Sequence, residues 1–106
     1  MRKLRIDNYE FKREDTSITY MVRESLADLL LHRELRLSAA EAIRRHTIAK
    51  RILECPNDEI LLEDADYERI KSSLDLIHGF GREDIELIER IYNAEEVSHG
   101  NIKTTD

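Results

Sequence analysis

The sequence predicts an α+β domain, mostly helical, in which an N-terminal β-hairpin is followed by about four amphipathic helices. Three observations carry this expectation. Residues 3–11 and 16–22 alternate apolar and polar side chains with the period of a half-buried strand. From Ser25 to Glu95, apolar residues recur mainly three and four apart, the spacing of helices with one buried face. Ser38-Ala-Ala-Glu41 has the pattern of a capping box, in which each polar side chain satisfies a free backbone amide at a helix start.

Taken in order, Leu4 and Ile6 alternate with Lys3, Arg5 and Asp7, and the alternation slips between Asn8 and Tyr9. A slip of that kind marks a bulge or the end of a strand. Ile18, Tyr20 and Val22 alternate in the second run, so the two runs are expected to pair around Lys12-Arg13-Glu14-Asp15, although no glycine sits in the turn. The first helix is expected over about Ser25–Glu34, with Leu26, Leu29 and Leu30 inward. The capped helix carries Ala39, Ala42, His46, Ala49, Ile52 and Leu53 as a stripe and ends at Cys55-Pro56. Ile60-Leu61-Leu62 reads as a short strand. Asp64 or Asp66 then caps a helix bearing Tyr67, Ile70, Leu74 and Ile77, which Gly79 is expected to stop. The last helix, about Glu83–Glu95, presents Ile85, Ile88, Ile91 and Tyr92. The domain is expected to span residues 1–97, with 98–106 as a mobile tail.

Composition narrows the class. A chain of 106 residues with 41% hydrophobic and 38% charged residues supports one modest core under a highly charged surface. The single cysteine, Cys55, leaves no internal disulfide framework and fits a reducing compartment. With no signal-like apolar segment and no apolar run of spanning length, a cytoplasmic protein without a membrane segment is expected. The net charge of −6 conceals an asymmetry: residues 1–53 carry +4 and residues 54–106 carry −10. Such segregation points to a partner, whether nucleic acid, another protein or a second copy of the chain.

Residues of the types that carry chemistry have plainer explanations. His46 on the capped helix's stripe is read as a buried, neutral histidine rather than a base. Cys55 precedes Pro56 at a helix C-terminus, where the dipole opposes a thiolate. Cys55 with His32, His46, His78 and His99 shows no zinc spacing. Glu59, Glu63, Asp64, Asp66 and Glu68 suggest calcium, but Arg69 stands where a calcium loop needs glycine, and acids gather at helix N-termini anyway. No phosphate-cradling glycine loop or nucleophile elbow is present. No catalytic residue, metal or cofactor is therefore expected, and the chain is read as a non-enzymatic protein.

The constellation with most functional promise is basic. Arg33 and Arg36 precede the capped helix, which carries Arg44, Arg45, Lys50 and Arg51. These residues could meet another protein's acidic surface or an anion. Two helices with a basic second member also suggest DNA or RNA binding, although the N-terminal positions that would face bases read Ser-Ala-Ala-Glu and the connector Leu35-Arg36-Leu37 has no glycine. The leading expectation is a binding or adaptor module acting through protein–protein contacts and forming a homo-oligomer. Its self-contact is expected at Ala39, Ala42 and Ala49 or at Ile85, Ile88, Ile91 and Tyr92. A nucleic-acid-binding regulator is the alternative, and an oligomer that sequesters a small ligand is the third.

Lys-Leu-Arg-Ile-Asp at 3–7, Leu-Ser-Ala-Ala-Glu-Ala at 37–42, residues 60–71 and Gly-Arg-Glu-Asp-Ile-Glu-Leu-Ile-Glu-Arg at 81–90 form a layout over most of the chain. That layout resembles small accessory proteins encoded by tailed phages and prophages. The resemblance implies a compact accessory or regulatory protein that acts by binding, and it assigns no functional residue.

Overall fold

The slip at Asn8 proves to be the end of one strand and the start of another that joins a different sheet. In the computed structural model, which describes residues 1–98, β1 (Arg2–Arg5) ends before it and β2 (Tyr9–Arg13) begins after it. Only β2 pairs with β3 (Thr16–Tyr20), in register Tyr9↔Tyr20 through Arg13↔Thr16. The hairpin is therefore β2–β3, and the expected pairing of residues 3–7 with the second run does not form. Instead β1 lies at the centre of a three-stranded antiparallel sheet, between β4 (Glu59–Leu62) and β5 (Glu95–Glu96). Leu4 faces Ile60 in that register, and Lys3 faces both Leu61 and Glu95. Alternation then does its usual work: Leu4, Ile60 and Leu62 are buried, while Arg5, Glu59 and Leu61 stay on the exposed face.

Asn8, freed from either ladder, takes on a capping task. Its side-chain oxygen accepts from the Val22 amide at 2.9 Å, at the start of α1 (Val22–Leu30), whose own N-cap residue Met21 supplies no side-chain bond. The helix consequently begins a turn earlier than Ser25 and ends at Leu30. A 3-10 turn at Arg33–Leu35 follows, and Arg36 adopts a left-handed conformation with φ 50°. Glycine is the residue that occupies this region without strain.

Ser38 caps α2 (Ala39–Glu54) as its pattern predicts, accepting from the Glu41 amide at 3.2 Å. The Glu41 carboxylate, however, turns to arginines, as described below. The C-terminal end of α2 is held from outside: Arg23 of α1 donates to the carbonyls of Ile52, Cys55 and Asn57. Helix α3 (Asp64–Leu76) ends with Ile77 already extended, so Gly79, at φ 101°, shapes the following loop rather than capping the helix. A 3-10 turn at Arg82–Asp84 leads into α4 (Ile85–Tyr92), which stops three residues short of Glu95 because the chain there enters β5.

The core gathers Leu4 and Ile6 under Val22, Leu26 and Leu30 of α1, Ile48 and Ile52 of α2, Tyr67 and Ile70 of α3, and Leu87 and Ile91 of α4. Tyr67 is buried and donates its hydroxyl to the Ile91 carbonyl at 2.5 Å. Helix α1 packs on both α2 and α3, and α4 packs on α3 and β1. Of the expected tail, only Ser98 is described; residues 99–106 lie outside the described residues. No helix among the described residues is long and apolar enough to cross a membrane.

Candidate functional site

The two helices singled out from the sequence, α2 and α4, each bury one face and present another. On α2 the buried face consists of Arg45, Ile48, Ala49 and Ile52. This lies about a fifth of a turn from the expected stripe, with which it shares Ala49 and Ile52, and His46 is exposed rather than buried. The outward face runs Ala39, Ile43, His46, Lys50 and Leu53, with Ile43 68% and Leu53 46% exposed. Ala49 is buried in the core and so is not available as a self-contact, whereas Ala39 is exposed and Ala42 half-buried.

Arg45 corrects the largest part of the basic reading. It is 6% exposed, so it is a core residue and not a docking cation. Its Nη1 donates to Ser73 Oγ at 2.8 Å and to the Leu30 carbonyl at 3.2 Å, tying the ends of α1 and α3 to α2. Its Nε reaches Glu41 Oε1 at 3.3 Å, and Arg69 Nε reaches the same oxygen at 2.7 Å. The Arg69 hydrogen bond, then that of Arg45, holds the Glu41 carboxyl below its usual value. Arg44 lies 3.9 Å from the other Glu41 oxygen, and Arg51 pairs with Asp66 at 3.5 Å while donating to the Leu61 carbonyl. Arg33, Arg36 and Lys50 are the members of the basic constellation that remain exposed without an ion pair among the described residues.

Among the side-chain ion pairs between the halves, three set a cation of the basic half against an acid of the acidic half and two run the other way, so little of the charge asymmetry is cancelled by them. Ion pairs Lys3–Glu95, Asp7–Arg90, Arg13–Glu83, Glu41–Arg69 and Arg51–Asp66 join the basic half to the acidic half. Arg90 is the most enclosed of these. It donates to the Asp7 carbonyl at 2.7 Å and to Glu86 at 2.8 Å, and its guanidinium lies 5.1 Å from the Tyr9 ring centre. Asp7 is held below the usual carboxylate range chiefly by its hydrogen bond from Arg5, with Arg90 adding to it.

Helix α4 is apolar on two sides. Leu87 and Ile91 face the core. Ile85 and Tyr92 are 49% and 46% exposed, and partly buried Ile88 sits between them at helical spacing. Ile91 therefore leaves the expected self-contact, and Ile85, Ile88 and Tyr92 form the outward stripe. The Tyr92 hydroxyl reaches Asp75 at 3.4 Å, and Leu76, next to Asp75 on α3, is 55% exposed. Exposed Glu86 and Glu89 flank the stripe.

Beside this stripe, a cleft of about 230 Å³ opens between α1, the 77–80 loop and the start of α4. The hairpin forms one wall through Tyr20, which stacks on Tyr9 with ring centres 4.7 Å apart. Tyr20 donates to Asp84 Oδ1 at 2.5 Å, while the Gly81 amide donates to Asp84 Oδ2 at 2.8 Å. Tyr9 donates to the Glu83 carbonyl. Burial pushes the Tyr9 hydroxyl up to about 12, and burial with the Asp84 bond pushes Tyr20 higher. Sequence reasoning missed this pair, although Tyr9 and Tyr20 stand equally far from the Glu14-Asp15 turn, and a two-residue turn places such positions opposite each other. For Arg23 and Arg90 no local pattern marks the carbonyls they reach. No three His, Cys, Asp or Glu side chains converge as metal ligands among the described residues. Comparison with family models, curated proteins and solved structures finds no match to this chain.

Proposed function

We propose that this chain is a non-enzymatic binding module that self-associates head to tail, the outward face of α2 on one copy packing on the outward stripe of α4 on the next. The carrying observation is a pair of outward helical faces of opposite character that no other described element covers. One is Ala39, Ile43, His46, Lys50 and Leu53; the other is Ile85, Ile88 and Tyr92 with Glu86 and Glu89 beside it. Both follow the three-and-four spacing that lets helices interlock. Lys50 and Glu89 give the contact a sign, since neither has an ion-pair partner among the described residues. A contact between two different faces propagates to a ring or a filament rather than stopping at a two-fold dimer. The resemblance to small phage-encoded accessory proteins is compatible with such a module, and protein partners would use the same faces.

Sedimentation velocity across a concentration series tests this reading. Association should rise with concentration and be weakened about tenfold or more by Ile43→Asp, by Lys50→Glu or by Glu89→Lys alone. The Lys50→Glu, Glu89→Lys double variant should recover much of the loss, because the pair is restored with exchanged signs. A monomer at every concentration overturns the proposal. Association unaffected by Ile43→Asp also overturns the α2-to-α4 arrangement.

A further inference from the structure

We infer that the cleft between α1 and α4 is a binding site for a small organic ammonium ion with an apolar body. The floor is apolar: Leu29, Ile77 and Leu87 are buried, and Ile88 closes one side. Such a floor accepts a hydrocarbon group and releases the water that covers it. The charge on the walls has one sign among fixed groups. Asp84 is oriented by its bonds from Tyr20 and the Gly81 amide, Asp28 stands at the mouth on α1, and no lysine or arginine among the described residues lines the cleft. The rings of Tyr20 and Phe80 complete the lining, and aromatic faces attract cations. His32 and His78 are the remaining titratable groups at the mouth. Their neighbour Glu34 accepts from the His78 amide at 3.3 Å and lies 3.7 Å from His32 Nδ1, adding further negative charge nearby.

The volume, about 230 Å³, holds a single ring with a short amine arm and little more. The ligand carries the opposite charge to the anion that the sequence associates with its basic constellation. The cleft shares Ile88 with the α4 face of the head-to-tail reading, but its charge and ring contacts come from Asp28, Asp84, Tyr20 and Phe80, which lie off that face.

Thermal denaturation and amide chemical shifts of the full chain, followed during titration, supply the test. Phenethylammonium should raise the melting temperature and move the amides of Leu29, Gly79 and Phe80, none of which lies on the proposed self-contact faces. Phenylpropionate carries the same ring with the opposite charge, and methylammonium carries the charge without the ring; each should bind at least about tenfold more weakly. Asp28 is exposed, so Asp28→Lys should leave the melting temperature of the free chain unchanged and cost about tenfold in phenethylammonium affinity. Equal binding of phenethylammonium and phenylpropionate, no response to phenethylammonium at about 10 mM, or indifference to Asp28→Lys would overturn the inference. Sedimentation of the same samples reads self-association separately, so failure of one reading is distinguishable from failure of the other.

Discussion

Arg45 and Ser73 join α2 to α3 by a hydrogen bond of 2.8 Å between two buried side chains. Ser73 Oγ passes the link on by donating to the Arg69 carbonyl at 2.9 Å, and Arg69 returns to α2 through Glu41. The loop Arg45–Ser73–Arg69–Glu41 therefore closes on itself across the helix pair. A buried guanidinium is tolerated here because Glu41 accepts from its Nε while the Leu30 carbonyl and Ser73 accept from its Nη1.

Removing Arg45 should break the loop at its most buried cation. Arg45→Ala is expected to cost about 3 kcal/mol in urea unfolding, because it opens a cavity and takes a donor from Ser73, Glu41 and the Leu30 carbonyl, although Arg69 still holds Glu41. Arg45→Met, which keeps the volume, should cost less. The sign of the acid dependence follows from Glu41, whose carboxyl is depressed in the folded chain. Its contribution is present above the ordinary value of 4.5 and is lost as pH falls through the lower folded value. A stability of Arg45→Ala equal to that of the parent chain would show that the network adds nothing.

The tyrosine pair sets the alkaline limit. Tyr9 is raised from 10.0 to about 12, so the neutral hydroxyl is the form the fold favours. For a raised group, stability is fully present below the unfolded value and declines as pH rises through the folded one. Unfolding free energy should therefore fall between about pH 10 and 12, and Tyr9→Phe and Tyr20→Phe should each flatten that slope. Near-ultraviolet titration of tyrosinate supplies the check, with a normal, single midpoint for all four tyrosines counting against the assignment.

Arg36 holds a left-handed backbone between the 3-10 turn and α2. A side chain there costs about 1 kcal/mol or more, whereas glycine adopts it freely but gives up unfolded-state entropy. Arg36→Gly is thus expected to be neutral or stabilising by up to about 1 kcal/mol in chemical unfolding. A loss of about 1 kcal/mol or more would mean that the Arg36 side chain makes a stabilising contribution that outweighs the strain.

How much of this was legible in the sequence depends on which signal had a rival. The fold class, the Ser38 cap and the buried apolar positions of α1 and α3 were legible from capping and spacing, whereas on α4 the spacing marks Ile85, Ile88, Ile91 and Tyr92 and misses the buried Leu87. The Asn8 slip was visible, but periodicity cannot say with which strand a segment pairs, so β1 was assigned to the hairpin instead of to β4 and β5. On α2 the stripe that packs is Arg45, Ile48, Ala49 and Ile52, and a charged residue in it hides it from a reading by apolar spacing, because charged residues are seldom buried. The cleft was invisible, since it joins Tyr20, α1 and α4 across long stretches of chain.

The two isoleucines of α4 provide a direct contrast between packing and presentation. Ile91 is fully buried against the core, and Ile85, on the same helix, is 49% exposed. Ile91→Ala removes atoms that have partners on every side and should cost about 2–4 kcal/mol in chemical unfolding. Ile85→Ala removes half-solvated atoms and should change stability by less than about 0.5 kcal/mol. If the outward stripe meets a second copy, the ranking reverses in a sedimentation experiment: Ile85→Ala then weakens association in chains that remain folded. Equal destabilisation by the two substitutions would place Ile85 in the core instead, and would remove the stripe on which the docking reading stands.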